Sequence, residues 1–301
     1  MNTFHPSTPS HFAQRQDLLQ SALRPDPLPF GIEDEFPIVL SRTQTDYSYC
    51  ATQGERIVAH FNLWPRQFVS GDSSFRIGLI GNVATDAEFR GQGIMSRCFA
   101  SIDEIAEQQR LDALILWSDL HSFYQKLDFD ALGKELRFTF NRRAEKVAGS
   151  FLPVPRADLT IELVTLLLQT RYPIQGTLAR TPSEMLQLLH IPETHLFAKI
   201  EDQSIQAFGI VGKGYDMGGV IHEWGATNPE LLAAMAHEIA AGFDWPATMV
   251  LAPGQLDSTW DRQLTAIADI REEHPMALVK TKNSALRRCL ESGFIWGLDS
   301  I

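Results

Sequence analysis

The clearest pattern along the chain is a change of hydrophobic period between residues 75 and 106. Residues 75–82 (FRIGLIGN) are mostly apolar, which predicts a buried strand. A helical spacing follows, and its apolar positions are Ile94, Met95, Cys98, Phe99, Ile102, Ile105 and Ala106. The residues between the two patterns, 83–95 (VATDAEFRGQGIM), therefore predict a strand-to-helix crossing that carries two glycines.

Shorter patterns on either side of this crossing predict the rest of the first half. The predicted helices are 11–23, ended by three prolines, and 121–127, and the predicted strands are 47–52, 57–64, 113–117 and 136–140. The last of these strands is expected to close the sheet. Hairpin, strand, helix, strand, helix and strand in this order indicate an α/β fold, a mixed sheet with helices on its faces.

The same order of elements recurs, less clearly, in the second half. Its predicted elements are strands at 196–200, 205–211, 220–224, 248–251 and 276–279, and a helix that begins at Pro229. We therefore predict two tandem domains, each a mixed, largely antiparallel sheet flanked by helices. The first domain is expected to span residues 1–145 and the second residues 156–301, with a linker at 146–155 that contains glycine, serine and proline.

The crossing at Arg90-Gly91-Gln92-Gly93 has features of an anion site. Glycine permits sharp backbone turns and close approach of a ligand, and a helix N-terminus offers unpaired N–H groups that can hold a phosphate or pyrophosphate. A plain tight turn explains two glycines equally well. The P-loop and the dinucleotide fingerprint are both excluded, because their further glycine and Lys-Ser/Thr positions are missing.

Two motifs in this region resemble those of one known family. Arg90-Gly91-Gln92-Gly93-Ile94-Met95 is similar to the cofactor motif of the GNAT acetyltransferases, with Met95 in place of a final small residue. Residues 123–129 (FYQKLDF) resemble the FYxKLGF motif of the same family, with Asp128 in place of its glycine. The residues of the first motif (VAT…RGQGIM) are similar to those of the Eis-like branch of the family. The resemblance to the family extends from about residue 47 to residue 140.

The resemblance implies acetyl-CoA, or a related acyl-CoA, as the co-substrate. The residues that it assigns to cofactor binding are Val83, Ala84, Thr85, Arg90, Gly91, Gln92, Gly93, Ile94 and Met95. The turn would hold the pyrophosphate through main-chain N–H groups, with added charge from Arg90. The strand end at residues 83–85 would align the pantetheine arm through backbone hydrogen bonds.

The implied reaction is direct attack of a primary amine on the thioester in a ternary complex. By resemblance, Tyr124 is the general acid that protonates the leaving thiolate, although the same ring could simply pack the short helix against the sheet. A general base must take a proton from the amine. Glu88, Asp119, the acidic segment at residues 31–37 and a chain of waters are all candidates.

The second half is expected to lack a cofactor site. Its corresponding crossing is Gly225-Ala226-Thr227-Asn228-Pro229, which has no Arg-Gly-x-Gly, and Pro229 removes one N–H donor. No metal is predicted, since neither His222-Glu223 nor His237-Glu238 is followed by the second histidine of a zinc-protease motif. We therefore read this half as a degenerate GNAT-like domain.

The charge, the apolar runs and the cysteines of the chain limit which partners and which cellular location are expected. The net charge of −11 argues against nucleic acid and would attract a cationic substrate, although acidity of this size also serves solubility alone. No apolar run is long enough to cross a membrane, and the N-terminus lacks the pattern of a secretory signal. Three scattered cysteines indicate neither a disulfide framework nor a metal site, which favours a cytoplasmic location.

Three readings of the function remain open from the sequence. The first is an N-acetyltransferase whose acceptor is an aminoglycoside, a polyamine, an amino acid or a protein amine. The second is a non-catalytic module that binds an acyl-CoA or an amine as a signal, and the third is a structural partner in which both domains have decayed. The intact Arg90–Gly93 loop and Tyr124 argue against complete decay. The sequence also leaves a homo-oligomer open.

Overall fold

The structure is a computed structural model that describes residues 3–24, 28–43, 45–140, 151–242, 247–251 and 258–301. Its helices are α1 (Phe12–Leu23), α2 (Ile32–Glu35), α3 (Ile94–Gln108), α4 (His121–Gln125), α5 (Ile161–Thr170), α6 (Pro182–Leu188), α7 (Pro229–Gly242), α8 (Ser258–Ile267) and α9 (Ser284–Ser292). Its strands are β1 (Phe4–Pro6), β2 (Ser48–Gln53), β3 (Arg56–Ser70), β4 (Ser73–Thr85), β5 (Ala113–Leu116), β6 (Asp130–Leu132), β7 (Glu135–Phe140), β8 (Leu152–Pro153), β9 (Gly176–Leu178), β10 (His195–Glu201), β11 (Ser204–Val211), β12 (Val220–Ala226), β13 (Ala247–Leu251), β14 (Ile270–His274) and β15 (Ala277–Lys280).

The first sheet runs in the order β1-β2-β3-β4-β5-β15-β6. Its described pairs are antiparallel except β4 with β5, which are parallel and are joined by the crossover helix α3. Helix α3 buries its predicted apolar stripe, since Ile94, Cys98, Phe99 and Ile102 are at most 3% exposed. Burial of this stripe against the sheet fixes the helix, and with it the crossing at its N-terminus.

The second sheet repeats this arrangement in the order β14-β7-β13-β12-β11-β10-β8. Among its described pairs, β12 and β13 are parallel and α7 joins them, while the others are antiparallel. Both sheets are therefore mixed and largely antiparallel, with helices on their faces. The predicted fold class is confirmed.

Two strands lie in a different sheet from the one predicted. Residues 136–140 were expected to close the first sheet, but β7 pairs with β13 and β14 of the second. Residues 276–279 were expected in the second sheet, but β15 lies between β5 and β6 of the first. Alternation of side chains identifies a strand, whereas its sheet is decided by which distant edge it can pair with.

The chain accordingly divides into two compact units that are not continuous in sequence. One comprises residues 1–132, 277–288 and 300–301, and the other comprises residues 133–276 and 289–299. Residues 146–150 of the predicted linker lie outside the described residues, whereas Leu152–Pro153 within it form β8. The division into one domain at residues 1–145 and another at residues 156–301 stays a prediction.

Each unit contains one histidine that is buried in a neutral form. The Nδ1 atom of His60 lies 2.9 Å from the carbonyl oxygen of Asn82, and Nε2 of His222 lies 2.9 Å from that of Gly212. Burial lowers the pKa of His60 to about 3 and that of His222 to about 4. The other ring nitrogen of each has no hydrogen-bond partner in the described part of the chain.

We expect these two histidines to make the folded state sensitive to mild acid. Because the unfolded chain binds a proton at each ring below about pH 6.5 and the folded chain does not, their stabilising contribution is complete above that pH and is lost as the pH falls. The free energy of unfolding should fall by about 1.4 kcal/mol per pH unit for each histidine. Urea unfolding at pH 6.5, 5.8 and 5 measures this slope.

Replacement of one buried histidine measures its contribution to the pH dependence of the free energy of unfolding. The variant His60→Gln should have a shallower dependence on pH than the wild type, whatever its absolute stability. The matched control is His121→Gln, since the His121 side chain is exposed. An unchanged slope in His60→Gln would contradict the assignment.

Candidate functional site

The site begins where strands β4 and β5 separate. The parallel pairing joins residues 77–79 of β4 to residues 113–115 of β5. Strand β4 continues to Thr85 beside β3, where Thr85 lies opposite Ala59. Beyond residue 79, the edge of β4 that faced β5 has left this ladder, so its main-chain groups can bind a ligand instead.

A tight turn connects the end of β4 to α3. The Asp86 carboxylate accepts a hydrogen bond from the Glu88 N–H at 3.0 Å and caps a short 3₁₀ turn. Gly91 and Gly93 follow with φ values of 76° and 72°, which glycine adopts without the steric cost of a side chain. The first bond of α3 runs from the Arg97 N–H to the Gly93 carbonyl at 3.3 Å. The N–H groups of residues 94–96 precede this bond and are available to an anion.

A cavity of about 390 Å³ lies against this crossing. The predicted cofactor residues that line it are Val83, Ala84, Thr85, Arg90, Gly91, Gly93, Ile94 and Met95. Gln92 is not among the lining residues, and its side chain reaches back to the Glu88 carbonyl at 3.4 Å. The structure thus brings together the predicted residues other than Gln92, with their main chain and the N-terminus of α3 on one cavity.

Several residues of the site were not predicted from the sequence. Ala22 and Leu23, at the end of α1, line the same cavity. The guanidinium of Arg56 holds the turn, since its nitrogens lie 2.6 Å from the carboxylates of both Asp86 and Glu88. Arg97 donates to the Gln92 carbonyl at 3.1 Å and so braces the loop from inside the helix. The contacts of Ala22, Leu23 and Arg56 join distant parts of the chain, which local spacing cannot reveal.

The side of the cavity formed by Arg90 and the turn suits an anionic ligand. Arg90 lines the cavity, and its Nε donates to the Thr85 carbonyl at 3.3 Å, which keeps the guanidinium beside the strand end. A Cβ atom at Gly91 would meet no atom within 4 Å apart from its two chain neighbours, so the turn presents open backbone there. Main-chain donors, a helix N-terminus and a cation are the groups that bind a pyrophosphate.

The carboxylates proposed as general bases have different surroundings. Glu88 is held by Arg56, and Asp119 is exposed. Residues 32–35 of the acidic segment form α2, and Glu35 within it is 2% exposed and forms a two-bond ion pair with Arg24 at 2.7 and 3.0 Å. Asp34 accepts the Gly31 N–H at 3.0 Å. Structural partners therefore occupy several of these groups, and the base stays unassigned.

Tyr124 lies in α4 and is 8% exposed. Its ring makes edge contacts with Phe99, Phe123 and Phe129, at centroid distances of 5.6, 5.1 and 5.9 Å. Burial raises the pKa of the phenol, and the neighbouring Ser118 side chain opposes this effect. Tyr124 packs against Phe99 of α3 and is not among the residues that line the described cavity.

The second crossing differs from the first in the partners of its main-chain N–H groups. Asn228 Oδ1 accepts the Leu231 N–H at 2.9 Å, which caps α7, and Pro229 at the helix start has no N–H to offer. The Thr227 N–H is bound to the Gln206 carbonyl at 2.9 Å. Two N–H groups of this crossing are therefore already bonded, and Pro229 lacks a third.

We therefore expect one acetyl-CoA to bind per chain. Asn228→Ala should cost about 1 kcal/mol of stability through loss of the cap and leave the affinity for acetyl-CoA unchanged. Isothermal titration of the wild type and of this variant measures both stoichiometry and affinity. Two equivalents per chain, one of them lost in Asn228→Ala, would contradict a degenerate second half.

Within the described ranges, no group of three or more histidine, cysteine, aspartate or glutamate side chains could hold a metal ion. None of the helices in the same ranges has the length and apolar character to cross a membrane.

Sequence comparison places the crossing within a known domain. Residues 3–132 match the sequence model of the acetyltransferase (GNAT) domain. No curated protein matches the chain.

Solved structures extend the likeness to most of the chain, at identities that show the fold alone. A protein from Enterococcus faecalis, described as a probable N-acyltransferase, is 17% identical with a TM-score of 0.69, covering 93% of this chain and 73% of its own. A GCN5-related N-acetyltransferase from Kribbella flavida is 14% identical with a TM-score of 0.63, covering 93% and 71%. Eis1 from Mycobacterium abscessus is 12% identical with a TM-score of 0.56, covering 92% and 73%. Residues 3–132 match the GNAT acetyltransferase domain, and solved GNAT structures share the fold, so the resemblance drawn from the two motifs is confirmed.

Proposed function

We propose that the chain is an N-acetyltransferase that moves an acetyl group from acetyl-CoA to a primary amine by direct attack in a ternary complex. The observation that carries this proposal is the cavity at the β4–α3 crossing, where the open edge of a strand meets the N-terminus of a helix. The GNAT domain at residues 3–132 supports acyl transfer as the class of reaction.

The residues of the cavity fit acetyl-CoA by their chemistry. The main chain of Val83, Ala84 and Thr85 offers donors and acceptors to the amides of the pantetheine arm. The N–H groups that begin α3, the two glycines and Arg90 offer donors and positive charge to the pyrophosphate. When bound, acetyl-CoA supplies an activated thioester, and the chain supplies alignment with the amine.

The chain must also manage two protons. An acceptor amine is mostly protonated at neutral pH and has to lose a proton before attack. The departing thiolate needs a proton donor, and we assign this role to the hydroxyl of Tyr124. Burial raises its pKa, so the phenol stays protonated at neutral pH and is available as an acid.

Thiol release distinguishes the enzyme from a binding module. The full chain is incubated with acetyl-CoA and a panel of aminoglycosides, polyamines, amino acids and peptides, and free CoA is measured with a thiol reagent. Direct binding of acetyl-CoA is measured in parallel. Thiol release that depends on an amine supports the transferase, binding without turnover on any amine favours the non-catalytic module, and absence of binding contradicts the cofactor site.

A further inference from the structure

The two long strands of the first sheet pair out of register just before the cavity. His60 lies opposite Ala84, whereas Asn62 lies opposite Gly81. Two residues of β4, Asn82 and Val83, therefore correspond to a single residue of β3, which is a β-bulge. Asn82 takes a φ of 49°, in the left-handed region that asparagine tolerates better than most residues.

Buried residues hold both the main chain and the side chain of Asn82. Its carbonyl oxygen lies 2.9 Å from His60 Nδ1, and its side-chain Nδ2 donates to Asn62 Oδ1 at 3.0 Å. We call His60, Asn62 and Asn82 the bulge clamp. Because the His60 ring is neutral and its Nδ1 faces a carbonyl, Nδ1 carries the proton and donates.

Asn62 is itself fixed, so it can serve as a rigid base for the clamp. It is 0% exposed, and its Nδ2 lies 3.0 Å from the Val39 carbonyl, 2.9 Å from the Tyr47 carbonyl and 2.9 Å from Ser48 Oγ. A buried amide with this many partners cannot turn without leaving polar groups unsatisfied. The position of Asn82 is thereby tied to the interior of the first unit.

The bulge decides where the next three residues lie. In a regular strand consecutive residues alternate between faces, yet Val83, Ala84 and Thr85 all line the cavity. They do so directly after the bulge, where β4 has already left β5. A loss of the clamp would let the strand return to other backbone angles and would move this main chain.

We infer that the bulge clamp of His60, Asn62 and Asn82 positions the main chain of residues 83–85 for an acyl-CoA ligand. These three are positioning residues, since they act through the backbone of the next residues. This inference rests on the proposed function for the identity of the ligand.

The variant Asn82→Gly tests the clamp with little disturbance of the fold. Glycine accepts a positive φ, so the side-chain bond to Asn62 is removed without strain in the backbone. We expect the dissociation constant for acetyl-CoA to rise by about tenfold or more, because small displacements of binding groups have large effects. Hydrogen exchange of the amides of residues 81–86 should accelerate by about tenfold in the ligand-free protein, while that of α7 stays unchanged.

The matched control is Gln203→Gly in the turn between β10 and β11. Gln203 also has a positive φ, of 61°, and it lies outside the cavity. It should leave both acetyl-CoA affinity and the exchange of residues 81–86 unchanged. If Asn82→Gly does not fold, Asn82→Asp replaces it, because aspartate keeps the shape and tolerates the backbone angle but cannot donate to Asn62.

The two readouts separate this inference from the proposed function. A wild type that fails to bind acetyl-CoA would contradict the proposed function, and unchanged exchange in the variants would contradict the clamp. Faster exchange with unchanged affinity would show that the clamp holds the bulge without positioning a ligand, which overturns the inference. Faster exchange together with weaker binding supports it.

Discussion

Gly93→Trp is expected to abolish acetyl-CoA binding, with a dissociation constant at least about a hundredfold higher than that of the wild type, or roughly 2.7 kcal/mol. Gly93 lines the cavity and has a φ of 72°, so any side chain there is strained. A Cβ atom would point toward Arg97, 3.6 Å from its Nη1. The indole would therefore fill the space in front of the helix N-terminus. Isothermal titration with acetyl-CoA measures the loss.

Two further variants separate the causes of this loss. Gly93→Ala introduces the backbone strain, of about 1–2 kcal/mol, without the bulk. Ala100→Trp introduces the same bulk on an exposed position of α3 and should bind acetyl-CoA normally. A correctly folded Gly93→Trp protein that binds acetyl-CoA as tightly as the wild type would show that the ligand does not approach this turn.

Tyr124→Phe is expected to lower kcat by at least about tenfold, since general acid–base catalysis typically contributes about 10²- to 10⁴-fold. The substitution keeps the ring and its contacts with Phe99, Phe123 and Phe129, and removes only the hydroxyl. The affinity for acetyl-CoA should change little, because Tyr124 does not line the described cavity. Steady-state and single-turnover kinetics with an accepted amine measure both quantities.

The matched control for this variant is Tyr215→Phe, at a tyrosine that is 47% exposed in the second unit. It should leave kcat unchanged. If Tyr124→Phe has the same kcat as the wild type when chemistry limits turnover, Tyr124 is a packing residue and the acid must be sought elsewhere.

The central part of the site could be predicted from sequence because its determinants are local. A buried strand, two glycines and a helical stripe follow one another within residues 75–106, and the structure places a cavity at that crossing. The position at which the second motif departs from the family has a left-handed backbone. Asp128 stands in place of glycine and has a φ of 65°, a left-handed conformation that aspartate accepts more readily than most residues.

The remaining features depend on pairings between distant residues. The pattern of apolar and polar residues in β4 does not predict the bulge at Asn82, because the bulge depends on His60 and Asn62 in the neighbouring strand. The burial of Glu35 follows from Arg24, which ends a different helix. The sheets of β7 and β15 are likewise decided by free edges elsewhere in the chain. Local patterns carry no information about such partners.

The position of β15 has a consequence for how the protein is made. Strand β5 ends at residue 116, but its partner β15 begins only at residue 277. At about 5–20 residues per second, roughly 8–30 s of translation separate the two. During that interval the growing chain presents the bare edge of an apolar strand (ALIL) on the ribosome. Such an edge invites pairing with other nascent chains until the last part of the sequence arrives to cover it.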